Sequence, residues 1–426
     1  MTRICAISDD SIRICMCTVG LPARGKTYIA EKDMRYLTWL SIPTKSFNVG
    51  NYRRQYSIIS PTADFFDINN PVGEKARKKA AENALLDMMA WFKHESGVVG
   101  ILDATNSRKE RRRWIRNVCK ENNVLCMFVE SICNDKKIIM NNIMDVKLSS
   151  PDYKGKDPEK STSDFLMRIK YYEQTYEPLE DEDMTYVKLI DVGQKVIVNQ
   201  IQDYLQSRIV YYLMNLHIKP RSIWLSRHGE SEFNLHGIVG GDSNLSYRGL
   251  QYAKELPNIL RKSVGNAPLT VWTSTMKRTI QTAQYLPYKK IEWKALDELS
   301  SGVCDGMSYE EIKVVFSEDW NLRENDKFNY RFPGGESYRD VIARLEPVIM
   351  ELERQENVLI ISHQAVLRCI YGYYHDLDQE VFPFIDMPFH TVLKLTQVPY
   401  STSEERLTTT IPAVSTYRPK RKQEKN

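Results

Sequence analysis

Arg227-His228-Gly229-Glu230 follows directly on Ser222-Ile223-Trp224-Leu225-Ser226, so a mostly apolar run ends in a cation, an imidazole, a glycine and an acid. In an open α/β sheet, ligands bind outside the carboxyl ends of the strands. A neutral imidazole there can attack a phosphoryl group while the neighbouring arginine holds its charge. Over four residues an ordinary strand end with a surface histidine reads the same way, so the rest of the chain must supply the partners. It does. His363-Gln364 ends a second apolar run, Val358-Leu359-Ile360-Ile361-Ser362, and Arg278 opens a helix just after the run Leu269-Thr270-Val271-Trp272 and its hydroxyls Thr273 and Ser274. Glu298 is the candidate acid. These parts allow His228 to take a phosphate from a monoester and form a phosphohistidine. Glu298 then protonates the leaving oxygen, Arg227, Arg278 and a protonated His363 hold the charge, and water completes the turnover. A metal centre on two histidines would call for HxH, HExxH or Cys/His spacing, and none occurs.

A second constellation lies upstream. Gly20-Leu21-Pro22-Ala23-Arg24-Gly25-Lys26-Thr27 matches GxxxxGK[ST], after the apolar run Ile12 to Val19 and before the helix-like Tyr28 to Leu37. The glycines let backbone N–H groups turn inward around phosphates at a helix start, Lys26 reaches the outer phosphates, and the Thr27 hydroxyl can ligate Mg²⁺. The run Val98 to Leu102 delivers Asp103, placed to position Mg²⁺ or an acceptor hydroxyl. Lys75, Arg77, Lys78 and Lys79, with the arginines from Arg108 on, suit a solvated helix face or an anionic acceptor such as a sugar phosphate.

The elements that must position these groups alternate. Strand-like runs at Ile12–Val19, Val98–Leu102 and Val124–Glu130 are separated by helical periodicity over Glu74–Lys93, Arg108–Lys120 (with Ser107 as its cap), Lys137–Val146 and Asp164–Glu177. Tyr186–Asn199 alternates around Gly193. Asp203–Leu216 reads either as one helix or as a short helix and a strand, and the run Ile209-Val210-Tyr211-Tyr212 favours a strand at its end. His217–Arg221, polar and proline-broken, is the domain boundary. Beyond it come an amphipathic helix led by Ser246, a charged excursion over Asp319–Lys327 and a long helix over Tyr338–Glu353. From about Ser401 the chain turns polar and basic, with Arg418, Lys420, Arg421 and Lys422, and is expected to be a disordered tail.

A length of 426 residues calls for two or three domains, and 42% hydrophobic with 27% charged residues is the balance of a soluble globular protein. The net charge of +4 is too small to argue for nucleic acid but suits anionic small substrates. The eight cysteines form no CxxC pair, and no signal peptide or bilayer-length apolar run is present, so a cytoplasmic location with reduced thiols is expected. Cys15 and Cys17 are expected on one buried sheet face.

The pattern as a whole resembles the bifunctional 6-phosphofructo-2-kinase/fructose-2,6-bisphosphatase family. The motifs GLPARGKT, FNVGNYRR, DATN, SICND, SSPDY, RHGESE, GGDS, VWTSTMKRTIQTA and HQAVLRC carry the likeness, from about Arg13 to Tyr400. The resemblance implies an α/β fold in two parts. Residues 1–220 would be a phosphate-loop kinase domain with a mostly parallel sheet and helices on both faces. Residues 221–400 would be a histidine-phosphatase domain like phosphoglycerate mutase, and 401–426 the tail. It implies synthesis of fructose 2,6-bisphosphate from ATP and fructose 6-phosphate, and its hydrolysis through a phosphohistidine.

Family roles then fall on Gly20, Leu21, Pro22, Ala23, Arg24, Gly25, Lys26, Thr27, Tyr28, Asn142 and Lys147 for ATP, with Mg²⁺ at Thr27 and Asp103. Asp103, Cys133 and Lys147 match kinase active-site residues, and Arg53, Arg77, Thr105, Arg111, Arg168 and Tyr172 match fructose 6-phosphate contacts. In the second half Arg227, Asn234, Gly240, Arg278, Tyr309, Arg323, Lys327, Tyr338, Gln364 and Arg368 match substrate contacts. His228 is similar to the family nucleophile, Glu298 to its proton donor and His363 to its transition-state stabiliser; this half needs no cofactor. Only a short segment precedes the phosphate loop, so the long N-terminal extensions of some members are expected to be missing. A homodimer is implied as well, with neither nucleic acid nor membrane as a partner. Two other readings stay open: an essentially monofunctional bisphosphatase with a weak kinase domain, and a catalytically poor sugar-phosphate-binding scaffold.

Overall fold

The computed structural model describes residues 12–56, 62–149, 151–191, 193–216, 221–398 and 401–419. The chain divides into two units, Met1–Ile218 and Lys219–Asn426. In the first, strands β1 (Ile14–Val19), β2 (Thr44–Asn48), β3 (Val99–Asp103), β4 (Leu125–Ile132), β5 (Tyr186–Ile190) and β6 (Lys195–Asn199) form one sheet in the order β2-β3-β1-β4-β5-β6. All pairings are parallel except the hairpin of β5 and β6. A central parallel strand is covered on both faces, which is why every residue of β1 and β3 is apolar or internally bonded and buried. Cys15 and Cys17 lie 3.5 Å apart, sulfur to sulfur, inside that core. Asn48 is the register partner of Asp103, and Cys17 is that of Leu102, so the aspartate emerges beside both Asn48 and Thr18.

The helix over Tyr204–Asn215 corrects the strand expected at its end. Ile209, Val210, Tyr212 and Leu213 are buried at helical spacing, and the Tyr212 ring stacks on Tyr36 at 4.2 Å. Asp203 caps it by accepting from the Leu205 and Gln206 N–H groups. Packing and a cap thus override a β-branched run. The helix Lys109–Glu121 starts one residue later than expected, with Arg108 rather than Ser107 in the cap position, and no side chain caps it.

In the second unit, β7 (Ser222–Arg227), β8 (Thr270–Thr273), β9 (Lys289–Glu292), β10 (Asn357–Ser362), β11 (Thr391–Val398) and β12 (Ser401–Thr408) form a sheet in the order β12-β11-β7-β10-β8-β9. Its centre is parallel, with β11 and β12 added antiparallel at one edge. The strand β12 corrects the expectation of a disordered tail from Ser401. It pairs with β11 along its whole length, Ser401 to Thr408 against Val398 to Thr391. An edge strand with one face in water reads as polar as a tail does; here Tyr371 donates to Glu404 at 2.6 Å and Thr402 to the Tyr374 carbonyl at 2.6 Å. Residues 409–419 continue as irregular chain over the same unit, while Lys420, Arg421 and Lys422 lie outside the described residues. Among the described residues no helix is long and apolar enough to cross a membrane.

Candidate active sites

In the first unit the chain leaves β1 through Gly20, whose φ of 135° and contact with the Ser131 carbonyl leave no room for a side chain: a Cβ would sit 2.6 Å from that oxygen. Ala23 and Gly25 also have positive φ, 60° and 79°. The loop therefore turns its backbone inward just before the helix Lys26–Trp39. Lys26 is buried, donates to the Leu21 carbonyl at 2.6 Å, and is pushed down to about 7 by burial against the opposing pull of Asp103. Asp103 accepts from Thr27 at 2.8 Å, Asn48 at 2.5 Å and Thr18 at 3.2 Å. Asn142 donates to the Ala23 carbonyl at 3.0 Å, and buried Cys133 follows β4 beside the loop. Arg24 donates to the Pro22 carbonyl at 3.0 Å, and Tyr28 carries Lys32 above its ring. The side chain of Lys147 lies outside the described residues.

A cavity of about 580 Å³ opens beside this loop, lined among others by Arg77, Thr105, Arg111 and Tyr172. Thr105 joins the two, because its carbonyl accepts the Gly20 N–H at 2.9 Å. Arg111 is half-buried, its buried Nε has no hydrogen-bond partner among the described residues, and burial lowers its pKa. Arg53 and Arg168 stand one layer back: Arg53 pairs with Asp152 at 2.5 Å, and Arg168 stacks on Phe66, a cavity-lining ring, at 3.9 Å. Buried guanidinium groups with open donors are what an anionic ligand satisfies.

In the second unit Arg227 and Ser362 are register partners on adjacent parallel strands. The next residue of each chain is a histidine, so His228 and His363 meet with ring centroids 5.2 Å apart. The His228 Nδ1 lies 2.7 Å from the Gly229 carbonyl, which can only accept; Nδ1 therefore carries the proton and Nε2 keeps its lone pair. His363 bonds Ser274 through Nε2 at 2.7 Å and leaves Nδ1 buried without a partner among the described residues. Burial first, and Arg278 next, hold both imidazoles well below the ordinary histidine range.

Arg227 stacks on Phe389 at 3.6 Å, donates to the Met387 carbonyl and to Thr416, and is lowered to about 9, mainly by burial. Arg278 donates to the Gly241 carbonyl at 2.8 Å. Its turn needs Gly240, since φ is +72° and a Cβ would collide with the Asp305 carboxylate. Glu298 accepts from the Leu299 N–H at 2.9 Å and the Ala365 N–H at 3.3 Å, two residues past His363. Gln364 is half-buried there, and its buried Nε2 has no hydrogen-bond partner among the described residues. Arg368 donates to the Tyr338 hydroxyl at 3.0 Å and to the Ile385 carbonyl at 2.6 Å; Lys327 donates to the Pro383 carbonyl at 3.2 Å. Tyr309 and Arg323 gather around Trp320. Asn234 serves locally, its Oδ1 capping the turn at Ser231. Glu230, the acid beside the histidine, instead accepts two bonds from Arg248 at 2.8 Å and is a framework group.

Sequence reasoning passed over Thr18 and Asn48 as partners of Asp103, and His390 and Thr416 around His228 and Arg227. Asn48 could have been found from its place at the end of a strand beside the one that delivers the aspartate.

The chain was compared with known proteins. Residues 2–220 match the family model for 6-phosphofructo-2-kinase, and residues 223–410 match the histidine phosphatase superfamily, branch 1. The fructose-2,6-bisphosphatase of Saccharomyces cerevisiae is 54% identical, covering 97% of this chain and 92% of that protein. The 6-phosphofructo-2-kinase/fructose-2,6-bisphosphatase of Aquarana catesbeiana is 53% identical and the corresponding form 1 of Homo sapiens 52%, each covering 94% of this chain and 86% of that protein.

Proposed function

Because the chain belongs to the 6-phosphofructo-2-kinase/fructose-2,6-bisphosphatase family and carries both its kinase and its phosphatase domain, we propose that it makes fructose 2,6-bisphosphate from ATP and fructose 6-phosphate and hydrolyses it back. It thereby sets the level of a metabolite that controls glycolysis and gluconeogenesis. The observation that carries the hydrolytic half is the pairing of His228 and His363 beside Arg227 and Arg278, with burial and those arginines disfavouring the charged form of both rings. His228 Nε2 attacks the 2-phosphoryl group, Glu298 gives a proton to the departing sugar oxygen, and phosphohistidine then passes its phosphoryl group to water. Arg227 and Arg278 hold the transferring oxygens, and a proton drawn onto His363 by the incoming anion adds charge where it develops. Arg323, Lys327, Arg368 and Tyr338 suit the far end of the sugar phosphate, with Tyr309, Gln364, Asn234 and the Gly240 turn around it.

In the kinase half the loop Gly20–Thr27, with Tyr28 and Asn142 beside it, cradles ATP, and Lys26 regains its full charge against the outer phosphates. The sugar phosphate occupies the cavity at Arg77, Thr105, Arg111 and Tyr172, with Arg53 and Arg168 behind. Thr27 and Asp103, oxygen ligands that already touch, would hold Mg²⁺, which when bound neutralises phosphate charge. Cys133 and Lys147 complete the kinase set. On family grounds we also take the enzyme as cytoplasmic and homodimeric.

One relative, 54% identical, bears the name of the bisphosphatase alone, and it favours a second reading in which the kinase is weak. Separate assays decide. Lys26→Met should abolish synthesis and spare hydrolysis, whereas His228→Ala should do the reverse; net synthesis undiminished in Lys26→Met would refute the kinase assignment. Labelled fructose 2,6-bisphosphate should leave its label on His228. Hydrolysis without such label would refute the phosphohistidine route.

A further inference from the structure

The segment after β12 is pinned to the histidine loop at successive points. His390 accepts the Glu230 N–H through Nε2 at 3.1 Å and donates through Nδ1 to the Ile411 carbonyl at 3.2 Å. The Val414 N–H donates to buried Glu230 at 2.8 Å, and Thr416 accepts from the guanidinium of Arg227 at 2.7 Å. Two residues on, the guanidinium of Arg418 lies 3.8 Å from the centre of the Tyr309 ring and 6.0 Å from that of Trp320. That ring pair is also where Arg323 packs, 5.9 Å from the Trp320 centre. Lys327 is near enough for its charge to feel Arg323, Arg368 and Arg418 together. Four cations, Arg323, Lys327, Arg368 and Arg418, therefore converge beside this ring pair. Among the described residues the partners there are mostly neutral: carbonyls for Lys327 and Arg368, a hydroxyl for Arg368, and one carboxylate, Glu324, for Arg323. Such a surplus is balanced by a dianion.

We propose that Arg418, delivered by this strap, is a further substrate-binding residue of the phosphatase site, gripping the phosphate that is not transferred. The inference rests on the bisphosphatase reading above. It gives the strap a positive role: Thr416 orients Arg227 at the reacting phosphate while Arg418 reaches the distant one, so a bisphosphate is recognised by its two ends at once. The aromatic face of Tyr309 holds the guanidinium flat and leaves its edge donors free for phosphate oxygens.

The test measures steady-state hydrolysis of fructose 2,6-bisphosphate and of p-nitrophenyl phosphate, which lacks the second phosphate, by the full chain and by Arg418→Ala and Arg418→Lys. Arg418 is exposed, so neither substitution threatens folding. Loss of one charge-assisted contact should raise KM for the bisphosphate roughly tenfold with kcat changed less than twofold, and Arg418→Lys should recover part of it. The preference for bisphosphate over monoester, as the ratio of kcat/KM values, should fall by the same factor. An unchanged KM, or a kcat that rises because the strap had obstructed the pocket, would overturn the proposal. Labelling of His228 in the same preparations separates the two levels. Label on His228 with a wild-type KM in Arg418→Ala rejects this inference alone; hydrolysis without label on His228 rejects the reading beneath it.

Discussion

His228 and His363 face each other at 5.2 Å because the residues before them, Arg227 and Ser362, are paired across adjacent parallel strands. The His228 N–H closes the arrangement on the Ser362 carbonyl at 3.0 Å. Neither imidazole depends on a mobile loop. Both are set by sheet register, which is the stiffest reference a fold offers for positioning a reacting group.

Removing the second histidine should therefore cost rate rather than affinity. His363→Ala is expected to lower kcat for hydrolysis about 10²–10³-fold, with KM changed little and synthesis unaffected. Rapid-quench measurement of the phosphoenzyme should show slower formation. A rise in KM at constant kcat would make His363 a ground-state contact instead.

The same two rings predict the response to acid. Burial lowers both below the ordinary value of 6.5, so as pH falls through 6.5 the unfolded chain takes up protons that the folded site refuses. Stability is thus fully present above about pH 7 and is lost below 6.5, with a limiting slope of about 1.4 kcal/mol per pH unit for each histidine. Thermal melting between pH 5 and 8 should show the loss in the phosphatase unit, and His363→Gln should shallow it. A melting temperature flat from pH 8 to 5 would contradict the assignment of neutral, desolvated rings.

In the kinase unit, Asn48 donates to Asp103 at 2.5 Å from the neighbouring strand end. It fixes one carboxylate oxygen while Thr27 holds the same oxygen from the loop. Asn48→Ala should lower kcat for synthesis about tenfold, and Asp103→Asn should lower it much further, since both remove an orientation needed in the transition state. Hydrolysis by either variant should match wild type. Assay of synthesis at saturating ATP and fructose 6-phosphate checks the order of the two effects.

Much of this is legible in the amino-acid sequence. The apolar runs ending in Asp103, Arg227-His228 and His363 announce buried parallel strands with chemistry at their carboxyl ends, because a strand covered on both faces has only its end to offer a ligand. What stayed hidden was of three physical kinds. Ile209-Val210-Tyr211-Tyr212 is helical because the stack of Tyr212 on Tyr36 and the Asp203 cap outweigh local propensity. Ser401–Thr408 is a strand that, lying at an edge with one face in water, carries the polar composition of a tail. Thr416 and Arg418 act at a site built mostly from residues far earlier in the chain, and proximity of that sort leaves no periodic trace.

The last prediction concerns a group that neither activity uses. Asp33 lies on the helix that follows the phosphate loop, fully buried, and neither carboxylate oxygen has a hydrogen-bond partner among the described residues. Desolvation raises its pKa well above the usual 3.8, so the folded protein keeps the proton over a range in which the unfolded chain has released it. The sign follows: this site disfavours folding increasingly as pH rises above 3.8, until the folded pKa is reached. Asn is nearly isosteric and cannot ionise, so Asp33→Asn should remove the dependence. At pH 7 to 8 the variant should melt higher, by roughly 2–4 °C for each kcal/mol recovered, and the gap should close as pH approaches 4. Melting curves of the two proteins between pH 4 and 8, monitored in the kinase unit, check this. A gap independent of pH would mean that the amide gains by hydrogen bonding or packing rather than by relieving a desolvated acid.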